Sequence, residues 1–116
     1  MGFPSPAKDF AEKRLDLNDL IVNQSATFIL RMTGDAMKGL GIFDNNFLIV
    51  DKSITPVHGH IVVAEYRREF LVRRLFKQKG VIELRAAHPK EPVITFKDDD
   101  ELIVWGVVIS TIRKFV

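Results

Sequence analysis

Ile61-Val62-Val63-Ala64-Glu65-Tyr66-Arg67-Arg68-Glu69-Phe70-Leu71-Val72-Arg73-Arg74-Leu75 is the stretch on which the fold turns. Residues 61–66 and 70–75 are runs of β-branched, aromatic and other apolar side chains, and they flank Arg67-Arg68 as the two arms of a hairpin flank its turn. The turn is unusual, because a two-residue hairpin loop needs positive φ and normally uses Gly or Asn to reach it. Working outward, residues 27–33 alternate, with Phe28, Leu30 and Met32 on one side and Ile29, Arg31 and Thr33 on the other, as a half-buried strand requires. Residues 47–50 (Phe-Leu-Ile-Val) are continuously apolar, which predicts a strand covered on both faces. Asp44-Asn45-Asn46 before it and residues 56–59 after it supply turn chemistry. Residues 81–85, 93–96 and 102–112 complete the set of strands, with Asp98-Asp99-Asp100 as a solvated loop between the last two. There is no internal repeat and no low-complexity segment. These elements predict a mainly β fold, a small and strongly bent, barrel-like sheet.

The start of the chain reads differently. Ser5 can cap a short helix with Pro6 at its first position, where a missing backbone N–H does no harm, running to about Arg14. Asp16 can cap a further turn over residues 17–21, and Phe10, Leu15, Leu17, Leu20 and Ile21 give this segment something to dock with. The expected division is an N-terminal arm over residues 1–24, mobile unless docked, and a β domain over residues 25–116.

Composition bounds the function. The chain has 116 residues, 47% of them hydrophobic, enough for one core and too few for two domains. A formal net charge of only +2 argues against a dedicated nucleic-acid binder, so contact with DNA is expected to be indirect or weak. The absence of cysteine excludes disulfides, a thiolate nucleophile and cysteine-based metal sites, and makes a reducing cytoplasm the expected compartment. The N-terminus lacks the basic start and apolar run of a secretory leader, and no stretch is apolar for long enough to span a bilayer.

The informative constellation is Gly34-Asp35-Ala36-Met37, then Asp44, the apolar run Phe47-Leu48-Ile49-Val50-Asp51, His58-Gly59-His60 entering the hairpin, and Val72-Arg73-Arg74-Leu75. In order and spacing it resembles the LexA and UmuD family of self-cleaving serine peptidases, and the resemblance covers nearly the whole chain. Asp16-Leu17-Asn18, Ser25-Ala26-Thr27, Ser53-Ile54-Thr55 and Trp105-Gly106-Val107-Val108-Ile109 are similar to the UmuD branch in particular. Gly2-Phe3-Pro4-Ser5-Pro6 looks like the start that remains after such a protein has cut itself. In that family a Gly-Asp-Ser-Met segment presents a serine nucleophile, and a lysine in a Val-Lys-[Lys/Arg]-Leu strand is the general base.

Two departures decide what the resemblance implies. Ala36 stands where the family has its serine, and a methyl group cannot form an acyl-enzyme. Arg73 stands where the family has its lysine. A guanidinium stays charged in proteins and has no acceptor lone pair, so it cannot take a proton from a hydroxyl. Gly34, Asp35 and Met37 are expected to neighbour this vacated site, with Met37 also in the core.

Each of these residues has a plainer reading. Gly34 and Gly39 can be ordinary turn glycines, Asp35 a turn cap, and His88 a loop residue before Pro89. His58 and His60 would lie on one side of a strand at a spacing that can hold a metal, but no third ligand is evident, so no metal and no cofactor are expected. The basic run Arg67, Arg68, Arg73, Arg74, Lys77, Lys79 reads first as a solvated, edge-protecting surface. Alternation puts Arg73 and Arg74 on opposite faces and points Arg73 at the groove of the vacated site.

The resemblance therefore implies a non-catalytic UmuD-like accessory subunit, in its shortened form, of an error-prone translesion polymerase. Its implied partners are a UmuC-like Y-family polymerase and a RecA filament, acting in the SOS response. A homodimer is expected, both from the resemblance and from the apolar strand at residues 102–112, read as a sheet edge that a second copy would cover. The alternatives are a live Ser-Lys self-cleaving peptidase of the same fold and a small DNA-binding β domain.

Overall fold

The computed structural model describes residues 24–97 and 100–115. The helices expected within residues 5–21 lie outside this range, as do Asp98 and Asp99 of the acidic loop. Asp100 closes that loop: its carboxylate accepts from the Lys97 N–H at 2.9 Å, and its own N–H donates to the Lys97 carbonyl at 2.9 Å.

Seven strands form one antiparallel sheet: β1 (Thr27–Arg31), β2 (Phe47–Asp51), β3 (Ile61–Tyr66), β4 (Glu69–Gln78), β5 (Val81–Arg85), β6 (Ile94–Phe96) and β7 (Ile103–Ile112). They lie in the order β1-β2-β7-β3-β4-β5-β6. The alternation in β1 is real: Phe28 and Leu30 pack on the core while Ile29 is exposed. The uninterrupted apolar run of β2 is buried from Leu48 to Asp51, with neighbours on both edges and both faces.

The hairpin of β3 and β4 closes through Arg67 and Arg68 at φ 50° and 67°. This is the double positive φ that a tight hairpin demands, reached without glycine, and the Arg67 guanidinium lies 5.0 Å from the centre of the Tyr66 ring. The β4–β5 turn meets the same demand with Lys79 and Gly80. β4 is longer than its sequence pattern suggested because residues 74–78 pair with β5, so backbone pairing carries the strand on through charged residues.

One expectation about β7 is overturned. It is not an edge but lies between β2 and β3, paired with both, and the edges are β1 and β6. Ten residues of apolar character suit a central strand because each side has a partner to satisfy its backbone. β7 carries two irregularities. Ile49 faces Ser110 while Val50 faces Val108, and Val63 faces Gly106 while Ala64 faces Val104, so Ile109 and Trp105 are the extra residues of two bulges. Bulges bend a strand and re-aim side chains. Gly106 sits at the bend, where a Cβ would come within 2.5 Å of Val50 Cγ1.

The bent sheet has a core on each face. Val62 and Val63, successive in β3, belong to different clusters. Val62 packs with Ala64, Leu75, Leu84, Phe96 and Val107; Val63 packs with Met32, Met37, Ile42, Leu48 and Val50. No described helix is long and apolar enough to cross a membrane.

Candidate functional site

The segment after β1 is held by its backbone. The Met32 N–H donates to the Asn46 carbonyl and the Asn45 N–H to the Met32 carbonyl, each at 2.8 Å, so the chain stays beside the entry to β2. Gly34 then takes φ +88°, and its N–H donates to Asp44 Oδ1 at 2.7 Å, which makes it a turn glycine tied to a side chain ten residues on. Gly39 is a different case from the turn glycine expected. A Cβ there would fall 2.6 Å from the Ala87 carbonyl oxygen, so it is the close approach of two backbones that requires glycine. The Gly39 N–H donates to that oxygen at 2.9 Å, and the Ala87 N–H donates to the Ala36 carbonyl at 2.8 Å. Ala36 and Gly39 thus bracket Ala87, and the whole loop is pinned to the chain leaving β5.

Ala36 and Arg73 line one open groove of about 520 Å³. Phe28 and Leu30 from β1, Met32 just beyond its end, and residues 70–73 of β4 contribute to its lining, as do Leu48, Val63 and Trp105. Gly34 and Asp35 also line it; Met37 does not, for it is fully buried in the core behind. Alternation does separate the two arginines. Arg73 is in the groove, whereas Arg74 lies over Phe76 at 5.3 Å, beside Arg85, whose guanidinium is 4.1 Å from the same ring.

Arg73 is an unusual arginine. Its side chain is only 11% exposed, one Nη donates to its neighbour's carbonyl (Val72) at 2.9 Å, and Nε is buried without a partner. The other Nη is 3.8 Å from Glu91 Oε2, an ion pair too long to be a hydrogen bond. Burial pulls the Arg73 pKa below its ordinary value, and the Glu91 charge partly restores it. The group remains a cation.

Glu91 is the groove residue that the sequence reading missed. It lies in the connection between β5 and β6, and no local pattern announces that this loop returns to β4. Asp35 at the groove is engaged by His88 Nε2 at 3.5 Å and by Lys38 at 4.0 Å, so His88 is more than a loop residue. The two other histidines are not on a strand as expected. They sit in the turn before β3, where His58 Nδ1 accepts from the Lys77 N–H and His60 Nδ1 from the Val57 N–H. Their Nδ1 atoms thus accept from backbone N–H groups of β4 and of the turn itself, and no group of three potential metal ligands occurs among the described residues.

Fold and groove together define a known class. The family description Peptidase S24-like matches residues 1–109, and the chain belongs to this family. Its relatives place it more closely. It is 41% identical over 114 residues to protein SamA of Salmonella typhimurium, covering 97% of this chain and 79% of SamA. It is 38% identical over 119 residues to protein ImpA of Escherichia coli, covering 97% of this chain and 77% of ImpA. It is 38% identical over 113 residues to protein MucA of Escherichia coli, covering 96% of this chain and 77% of MucA. These are UmuD-like members of the family, and the chain is one of that branch.

Proposed function

We propose that this chain is a non-catalytic, UmuD-like accessory subunit of an error-prone polymerase, working by protein–protein contact. The observation that carries the reading is the pairing of Ala36 with Arg73 in one groove, in the positions that the family resemblance gives to a serine nucleophile and a lysine base. Peptide hydrolysis by that dyad needs a hydroxyl oxygen to attack the carbonyl and a neutral amine to take its proton. Here the attacking position holds a methyl group and the base position a permanent cation, so neither half of the step is available. What remains is a shaped groove on a rigid bent sheet.

In this reading the partners are a UmuC-like Y-family polymerase and a RecA filament, the chain acts as a homodimer in the cytoplasm, and the assembly copies past damaged bases. The argument for a dimer rests on membership of the UmuD-like branch, since β7 is not the free edge once expected. Co-expression with a UmuC-like polymerase, followed by size-exclusion chromatography and primer extension across an abasic site, tests the proposal. A stable complex that extends past the lesion supports it. A chain that elutes apart from the polymerase, or one that shortens a full-length UmuD-like protein unaided, overturns it.

A further inference from the structure

We infer that Arg74 and Arg85 form a docking point for a backbone phosphate of a nucleic-acid strand, at a hollow that shares no lining residue with the groove of Ala36 and Arg73. The inference goes beyond the accessory-subunit reading and does not depend on it.

Strand pairing brings the two arginines together. Arg74 of β4 and Arg85 of β5 are direct partners in the ladder, and like charges placed opposite each other repel. Both are nonetheless held over one ring, with their guanidiniums 5.3 Å and 4.1 Å from the centre of Phe76. His58, whose Nδ1 accepts from the Lys77 N–H, packs edge-on against the same ring at 5.3 Å. A guanidinium stacked in this way keeps the N–H groups of its edge for acceptors in its own plane. A single carboxylate serves the pair. Glu83 accepts from one Nη of Arg85 at 2.7 Å and from the Thr95 hydroxyl at 3.5 Å. Arg74 has no acidic partner among the described residues; its Nε is 3.4 Å from the Gly59 carbonyl, and both its Nη groups are left without a protein acceptor. The local charge is therefore unbalanced, and an anion placed between the two guanidiniums removes the repulsion.

The form of the anion follows from the surroundings. Arg74 and Arg85 line one small hollow of about 120 Å³, whose lining Leu40, Phe76, Ala86 and Ala87 complete. Its floor is fixed, because Ala87 is hydrogen-bonded through its backbone to Ala36 and Gly39. One guanidinium fork is enough for a carboxylate, whereas two forks meeting at one hollow suit a group with acceptor oxygens on several sides, which a phosphate has. Phe76 already has three side chains against it and offers a base no stacking platform, so the contact is to the backbone and carries no sequence preference. Water reaches both arginines and screens their hold on a lone ion. A polymer adds further contacts, and Lys77 and Lys79 are exposed farther along β4 and in the turn that follows it. That selects a chain of repeated phosphates over a free ion. With a formal net charge of only +2, the binding is local and salt-sensitive.

The test is fluorescence anisotropy of the intact chain with a labelled oligothymidylate at low salt. The same oligomer with an uncharged methylphosphonate backbone, and polyglutamate as a competitor, separate phosphate from base and from carboxylate. Arg74→Gln and Arg85→Gln should each weaken binding by about fivefold or more and lower the slope of log affinity against log salt by about 0.7. Arg68→Gln removes the same charge at the far end of β4 and should change affinity by less than about twofold. All three side chains are exposed, and thermal melts establish that the variants are folded. The methylphosphonate oligomer should not bind, and polyglutamate should compete poorly. Equal loss in all three variants, which is bulk charge alone, overturns the inference. So does unchanged binding in Arg74→Gln and Arg85→Gln, binding of the uncharged oligomer, displacement by polyglutamate as effective as by unlabelled oligothymidylate, or no binding at low salt.

Discussion

Arg73 and Arg74 are neighbours in the chain with the same side chain, yet the fold gives them opposite circumstances. Arg73 is nearly buried, under-satisfied and set in a groove with one distant carboxylate; Arg74 is exposed, stacked over Phe76, and has only a 3.4 Å contact from Nε to the Gly59 carbonyl. The pair teaches that the chemistry of a residue type is set by which side of a strand it leaves. A run of six basic residues between positions 67 and 79 would pass in the sequence for one electrostatic patch. It is in fact a single confined cation, Arg73, and five exposed basic residues spread along β4 and the turns at its two ends.

The largest effect should come from rebuilding the lost chemistry on the Arg73 side. The double variant Ala36→Ser/Arg73→Lys should shorten a full-length UmuD-like protein supplied in trans, at a rate that rises with pH as the buried lysine becomes neutral. Either single variant should give no product on the same gel. A product from Ala36→Ser alone would mean that a base other than residue 73 serves the groove.

Next in size is damage to the frame that holds the groove. Gly39→Ala forces a Cβ against the Ala87 carbonyl, a backbone atom that cannot swing aside, and should cost about 1–3 kcal/mol in denaturant melts. It should also weaken any groove ligand. A neutral outcome would show that the loop is less firmly pinned than its hydrogen bonds indicate.

Replacing each arginine by methionine then tests the comparison directly. Arg73→Met exchanges an under-satisfied buried cation for an apolar chain of similar length and should stabilise the fold by about 1 kcal/mol or more, the direction seen when buried ions give way to packed apolar groups. Arg74→Met, on the solvated face, should stay within about 0.5 kcal/mol of the parent. If both changes act alike, the distinction between the two positions fails. The smallest expected effect is that of Glu91→Gln on stability. The carboxylate is partly exposed and not hydrogen-bonded to Arg73, so its removal should cost under about 1 kcal/mol, and less in high salt.

Much of this architecture was legible from side-chain patterns. The strand at residues 81–85 was placed to the residue, and the hairpin at Arg67-Arg68 was read despite a turn sequence that argues against it, because the flanking runs were strong enough to decide. The alternation that sends Arg73 into the groove and Arg74 to solvent was likewise available. What sequence could not supply was pairing at long range. That β7 lies between β2 and β3 follows from partners 38 to 65 residues away, and an apolar strand reads the same at an edge or in the centre. Glu91 was missed for the same reason: its role depends on a loop returning to β4, and no periodicity encodes that return. Gly39 looked like a turn because the other backbone it touches is that of Ala87.

The bulge at Trp105 has a practical consequence. This is the sole tryptophan of the chain, and it stands at the groove, part-exposed, with its indole N–H 3.2 Å from Glu65 Oε2 and its ring edge-on to Phe70 at 5.6 Å. Its near-ultraviolet emission therefore reports on one place only. A ligand that covers the indole and excludes water should shift that emission to shorter wavelength, so the native protein carries its own optical gauge of groove occupancy, with no label attached.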